Sequence, residues 1–359
     1  MLNRLLSHDP PRSRWLAVLL VAIVVALAST PFIFPGTKVL NVAAKVIVFI
    51  VLTASFDLLL GYTGIVSFAH TMFFGIGAYG IAIAATRLGP TWPALALGTA
   101  CALVVSLALV IGLFSLRVRA IFFAMITLAV ASAFATLASQ LSDFTGGEDG
   151  LTFKVPESLR PTASYAAEPV LGASIDGRLV TYYAIFVVAV VLVLVLLRIV
   201  NSPFGRVLQA IRENDFRAEA IGYRTVVYRT LASVVSALFA TLAGVLLALW
   251  LRYTGPDTTL SFEVMLDVLL IVVIGGMGTI YGAVVGSVLL VLAQNYLQDL
   301  MKLAAGAVQS VPLLSQIVSP ERWLFWLGVL FVLSVYYFPS GVVGRLRALQ
   351  ARRPDRAKR

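Results

Sequence analysis

Charge is what this sequence has least of. Only 12% of its 359 residues are Asp, Glu, Lys or Arg, about half the fraction of an ordinary soluble domain, while 60% are apolar and mean hydropathy is +0.96. No water-soluble fold hides that much apolar surface. Cysteine is nearly absent too: Cys101 stands alone in an apolar run, which excludes an intrachain disulfide and a cysteine-built metal cluster. The two histidines, His8 and His70, are too few for a histidine-rich metal site. No segment reads G-x-x-x-x-G-K-[ST] or H-E-x-x-H, so the chain carries neither a phosphate-binding loop nor a zinc-protease helix. It has no visible catalytic apparatus, no metal site and no cofactor motif of its own.

What the chain has in quantity is long apolar runs, such as 181–199 and 266–274. Backbone polar groups in lipid need partners within the protein, which leaves helices or closed barrels. Barrel strands alternate over short segments, and these runs do not. The fold class is therefore an all-α membrane protein, a polytopic bundle of about ten transmembrane helices, since each crossing takes roughly 20 residues. Candidate spans are 15–34, 39–60, 64–85, 92–116, 120–141, 179–199, 229–251, 262–280, 281–300 and 323–339. The first follows Arg4, Arg12 and Arg14 and contains Ala26-Leu27-Ala28, which resembles a signal-peptide cleavage site. Its length favours a retained first span.

Basic residues cluster in the short connections. With the amino terminus in the cytoplasm, Arg117, Arg119, Arg198, Arg206, Arg212, Arg217, Arg224, Arg229 and the tail from Arg345 all lie inside, as the positive-inside rule requires. The segment 142–178 then lies outside, with six acids against three bases. The net charge of +10 is read as a topology signal rather than a nucleic-acid footprint. On this reading 1–14 is a cytoplasmic segment, 15–339 the transmembrane domain with 142–178 as external loop and 201–223 as a cytoplasmic segment, and 340–359 a basic cytoplasmic tail. Trp92, Trp250, Trp323 and Trp326 fall near span ends, as interfacial aromatics do.

Three charged residues, Lys45, Asp57 and Asp267, fall within spans, each about two turns or less from an end, where snorkelling or helix-end capping accounts for them as well as a proton relay does. Two stretches are rich in glycine. In 61–80, five glycines accompany Tyr62, Thr63, Ser67, His70 and Thr71; in 275–286, Gly275, Gly276 and Gly278 precede Gly282 and Gly286. Glycine at membrane depth permits close helix packing or broken backbone lining a cavity. Tyr62, Thr63, Ser67, His70, Thr71, Gly75, Gly275, Gly276 and Gly278 are therefore candidates for a translocation pathway or for packing, and both readings stand. A third stretch, 201–223, is too polar to span. Ser202-Pro203 starts a helix, Val207, Leu208, Ile211 and 218–221 give it an apolar face, and Gly222 stops it. Glu213, Asp215 and Glu219 interrupt its basic residues, which suits a protein partner better than a lipid surface.

Three blocks, 57–80, 205–222 and 272–286, together resemble the branched-chain amino-acid ABC permease family, specifically the permease with the longer outer loop. The resemblance implies a permease subunit of an ATP-driven importer in a bacterial inner membrane. It implies partners as well: a second homologous permease, two cytoplasmic ATPase subunits that hold ATP and magnesium, and a periplasmic protein delivering leucine, isoleucine or valine. Within 201–223 it implies a coupling helix docked on the ATPase through Gly205, Arg206, Ile211, Arg212, Glu213, Asn214, Ala218 and Gly222. Ile211 and Ala218 would be apolar anchors, Arg212 and Glu213 polar contacts, and Gly222 the turn. Urea and amide permeases share these blocks, and an ion-coupled secondary transporter is a third reading.

Overall fold

Lipid offers no partners to backbone N–H and C=O groups, so each apolar run closes its hydrogen bonds as a helix. The computed structural model describes residues 14–34, 36–115, 120–165, 175–307 and 319–351. Arg117, Arg119, Glu168, residues 1–13 and the last eight of the tail lie outside them. The helices are α1 (Arg14–Ile33), α2 (Thr37–Thr63), α3 (His70–Leu88), α4 (Trp92–Ser115), α5 (Ala120–Gln140), α6 (Gly177–Val200), α7 (Pro203–Glu213), α8 (Asp215–Ala220), α9 (Thr225–Leu251), α10 (Phe262–Gly275), α11 (Ile280–Ala307), α12 (Trp323–Tyr337) and α13 (Gly341–Ala351). Among the described residues ten segments are long and apolar enough to cross a bilayer, and the chain is a multi-pass membrane protein.

Several boundaries differ from expectation, most of all around two breaks. The third span begins at His70 rather than 64, leaving 64–69 non-helical. The eighth ends at Gly275 rather than 280, and the ninth runs from Ile280 to Ala307. Between them Gly276 and Gly278 take left-handed φ of 113° and 78°, a region that side chains with a Cβ avoid.

Burial ranks the helices. In the most apolar window of each span, 83% of residues are buried in α2, 72% in α3 and 67% in α9, against 11% in α1 and in the last span. The central three approach closely because glycines remove the side chain at the crossing. A Cβ on Gly77 would collide with the Thr241 carbonyl, and one on Gly244 with the Phe74 carbonyl. Peripheral α1 is held by a different device. Pro31 has no N–H for the Leu27 carbonyl four residues back, and the Tyr182 hydroxyl donates to that oxygen at 2.6 Å; Tyr183 does the same for Ala28.

The two ends of the bundle differ. At one, strands β1 (Leu151–Thr152) and β2 (Tyr253–Thr254) pair antiparallel, and Phe153, Val155 and Leu159 bury the 141–165 segment against α3 and α9. Just past the end of α9, burial first and then the nearby Arg178 hold the Arg252 guanidinium pKa below its usual value. At the opposite end α7, α8, the 276–279 turn and the start of α13 gather around the end of α2.

Candidate functional site

The polar segment 201–223 is two helices rather than one. The Ser202 side chain caps α7 by accepting from Gly205 N, with Pro203 in the first turn. Asn214 ends α7 in extended backbone and then caps α8, its Oδ1 accepting from Arg217 N at 3.0 Å. Gly222, with φ of 102°, turns the chain into α9.

Its apolar positions split into two groups. Leu208, Ile211 and Ala218 are buried against the bundle, and Gly205 lies so close to the Val200 carbonyl that a Cβ there would collide. Ile211, Ala218 and Gly205 therefore fasten the segment to its own chain, and the expectation that Ile211 and Ala218 anchor a partner is corrected. Two of the three acids are also engaged within the chain. Asp215 pairs with Arg229 at 3.0 Å, and Glu219 accepts from the Thr225 hydroxyl at 2.7 Å, so both tie the segment to α9. Facing away from the chain are Arg206, Glu213, Asn214, Arg217 and two large apolar side chains, Phe216 at 82% exposed, which the sequence reading did not assign, and Ile221 at 77%, which it placed on the apolar face with Leu208 and Ile211. An isolated exposed apolar residue is ordinary, and these two are notable because they project from an otherwise polar segment.

Arg212 reaches inward, and its Nη1 donates to the Gly61 carbonyl near the end of α2. One turn earlier in α2, fully buried Asp57 accepts from Gly278 N at 2.8 Å through Oδ1. Gly61 itself sits where any Cβ would strike Asp57 and Gly278 N. Segment α7, the end of α2 and the α10–α11 turn are thereby joined at one point by two side chains acting on backbone groups. Past it, Gly275 packs on the Gly282 carbonyl and Gly276 lies against Ser340 and Gly341.

The remaining candidates lie in the packed interior. Tyr62, Thr63, Ser67, His70 and Thr71 are all buried, and Gly75 faces Leu260. The non-helical stretch after Gly64 is satisfied from a distance, with Phe68 N donating to Thr127 Oγ1 at 3.1 Å. His70 Nε2 pairs with Ser236 Oγ at 2.7 Å, and that hydroxyl in turn bonds the Ser55 carbonyl. In this geometry these residues lie packed among neighbouring helices.

Comparison with known proteins gives a consistent answer. The family model described as branched-chain amino acid transport system / permease component matches residues 38–335. High-affinity branched-chain amino acid transport system permease protein LivM of Salmonella typhimurium, and that of Escherichia coli, are each 25% identical over 342 residues, covering 91% of this chain and 75% of theirs. A probable branched-chain amino acid transport permease protein LivM of Methanocaldococcus jannaschii is 30% identical over 148 residues, 41% of each chain. No solved structure matches significantly. The chain belongs to the branched-chain amino acid transport permease family: it is a membrane permease component and not an enzyme, and such permeases work with ATPase and binding-protein partners.

Proposed function

We propose that this chain forms part of the membrane pathway of an ATP-driven importer for branched-chain amino acids, and that α7 and α8 dock it on a cytoplasmic ATPase. The observation that carries this reading is the double character of the segment: Leu208, Ile211, Ala218 and Arg212 fasten it to the bundle, while Phe216 and Ile221 project from it. A helix fastened on one side and apolar on the other transmits displacement. In this scheme ATPase closure moves α7, Arg212 carries the movement to Gly61 and α2, and Asp57 carries it on to the α10–α11 turn, switching the bundle between outward-open and inward-open states.

Charge supports the orientation. Arg198, Arg206, Arg212, Arg217, Arg224, Arg229, Arg345 and Arg347 gather at the end that carries α7, against Glu213, Asp215 and Glu219. That end is cytoplasmic in this reading, both termini are inside, and the membrane is a bacterial inner membrane. The complex contains a second homologous permease and two ATPase subunits, which bind ATP and magnesium, and a periplasmic binding protein supplies leucine, isoleucine or valine.

Purification in mild detergent tests the assembly. The wild-type chain is expected to retain the ATPase and the second permease. Phe216→Asp is expected to lose the ATPase by about tenfold or more, as loss of an interfacial aromatic anchor does, while keeping the second permease. Retention of the ATPase at wild-type level by Phe216→Asp would contradict the docking assignment.

A further inference from the structure

At the end opposite α7, a cavity of about 500 Å³ opens between α2, α9, α10 and α11. Its size falls within the roughly 300 to 1,000 Å³ typical of small-molecule sites. Phe49, Leu247 and Trp250 supply apolar wall. Trp250 is held in place, since its Nε1 donates to Asn41 Oδ1 at 3.2 Å and Arg178 lies 5.5 Å from its ring centre while donating to the same oxygen.

The cavity carries charge of both signs on different walls. Lys45 enters from α2, with its Nζ 5.2 Å from the Phe49 ring centre. Glu263 and Asp267 enter from α10, and Asp257 from the turn before it. Asp267 Oδ1 accepts from Gln294 Nε2 at 2.7 Å. Among the described residues neither Lys45 nor these three carboxylates forms an ion pair, whereas Lys38 at the rim is already matched to Asp299 at 2.5 Å. Charges within an apolar span are costly unless paired or facing a polar cavity, and here a cation and carboxylates share a cavity without closing an ion pair among the described residues. A molecule that brings one charge of each sign and an apolar side chain would satisfy both walls.

We infer that this vestibule binds a free α-amino-acid zwitterion on its way into the permease. The α-ammonium lies at Asp267 and Glu263, the α-carboxylate at Lys45, and an aliphatic side chain lies against Phe49, Leu247 and Trp250. The inference rests on the amino-acid importer reading and adds where substrate is held and by which groups. Charge-assisted contacts at both ends of the ligand select zwitterions, so an analogue lacking either charge loses one full set. None of the glycine-rich candidates lines this cavity.

The test uses the complete importer in proteoliposomes. Leu251, which lines the cavity and is 42% exposed, is changed by Leu251→Cys in a Cys101→Ala background, and modification by an impermeant thiol reagent is timed. Leucine is expected to slow modification, whereas 4-methylpentanoate and 3-methylbutylamine, each lacking one charge, are expected not to. Adding Lys45→Gln or Asp267→Asn should raise the leucine concentration needed for protection by about tenfold or more, with co-purifying partner chains reporting intact assembly. Equal rates with and without leucine, equal protection by the single-charge analogues, or undiminished protection in both charge variants would overturn the site. An introduced thiol that never reacts in the assembled importer would do so as well, because a partner chain would then fill the cavity. A wild-type importer that carries no amino acid defeats the underlying reading instead; leucine uptake without protection defeats the vestibule alone.

Discussion

The junction at the end of α2 and the cavity at its start treat charge in opposite ways, although the rim of that cavity carries the Lys38–Asp299 pair. Around the end of α2, Asp57 holds Gly278, Arg212 holds Gly61, Asp215 holds Arg229 and Glu219 holds Thr225. Around its start, Lys45, Asp257, Glu263 and Asp267 share one cavity without an ion pair among the described residues. A part that transmits displacement must keep its bonds through the cycle, whereas a site that must release its cargo works best with contacts left open. Helix α2 belongs to both: Lys45 and Phe49 at one end, Asp57 and Gly61 at the other.

Four substitutions sharpen or break this contrast. The largest effect is expected at the tied end from Gly275→Leu, whose side chain would strike the Gly282 carbonyl. A backbone obstacle cannot step aside, so a loss of about 3 kcal/mol is expected in detergent-titrated unfolding. Asp57→Ala comes next. It leaves the half-buried Gly278 N without its acceptor, costs about 2 kcal/mol, and should lower uptake per ATP hydrolysed in the reconstituted importer. Tyr182→Phe follows at about 1 kcal/mol, because the Leu27 carbonyl freed by Pro31 loses its donor. Smallest is Glu263→Ala at the open end. The side chain is exposed and engages no ion pair among the described residues, so unfolding should shift by less than about 0.5 kcal/mol. A Glu263→Ala variant as unstable as Asp57→Ala would erase the difference between the ends.

The crossings were legible because a membrane span is a property of a single apolar run, and ten such runs can be read along the chain. The breaks at 64–69 and 276–279 were not. Glycine and hydroxyl residues sit comfortably inside membrane helices, and what stabilises the breaks, Thr127 for Phe68 and Asp57 for Gly278, comes from residues 59 and 221 positions away. The same glycines suggested a pathway as readily as packing, and the backbone carbonyls that they touch belong to other helices. In α7, the helical repeat marked Leu208 and Ile211 as one face but could not say what that face meets. Phe216 went unassigned and Ile221 was grouped with the apolar face because hydrophobicity ordinarily signals burial in the chain itself. Lys45 and Asp267 stood out as charges within spans, but the vestibule they share could not be read, since its lysine and its carboxylates come from segments more than 200 residues apart.

The most direct test of the central claim places a single thiol in α8 by Arg217→Cys in the Cys101→Ala background and measures its modification from each side of the membrane. The account predicts reaction with an impermeant reagent in inside-out vesicles alone, and protection when the ATPase subunits are added back. Modification from the outer side of intact cells, or a rate indifferent to the ATPase, would contradict it.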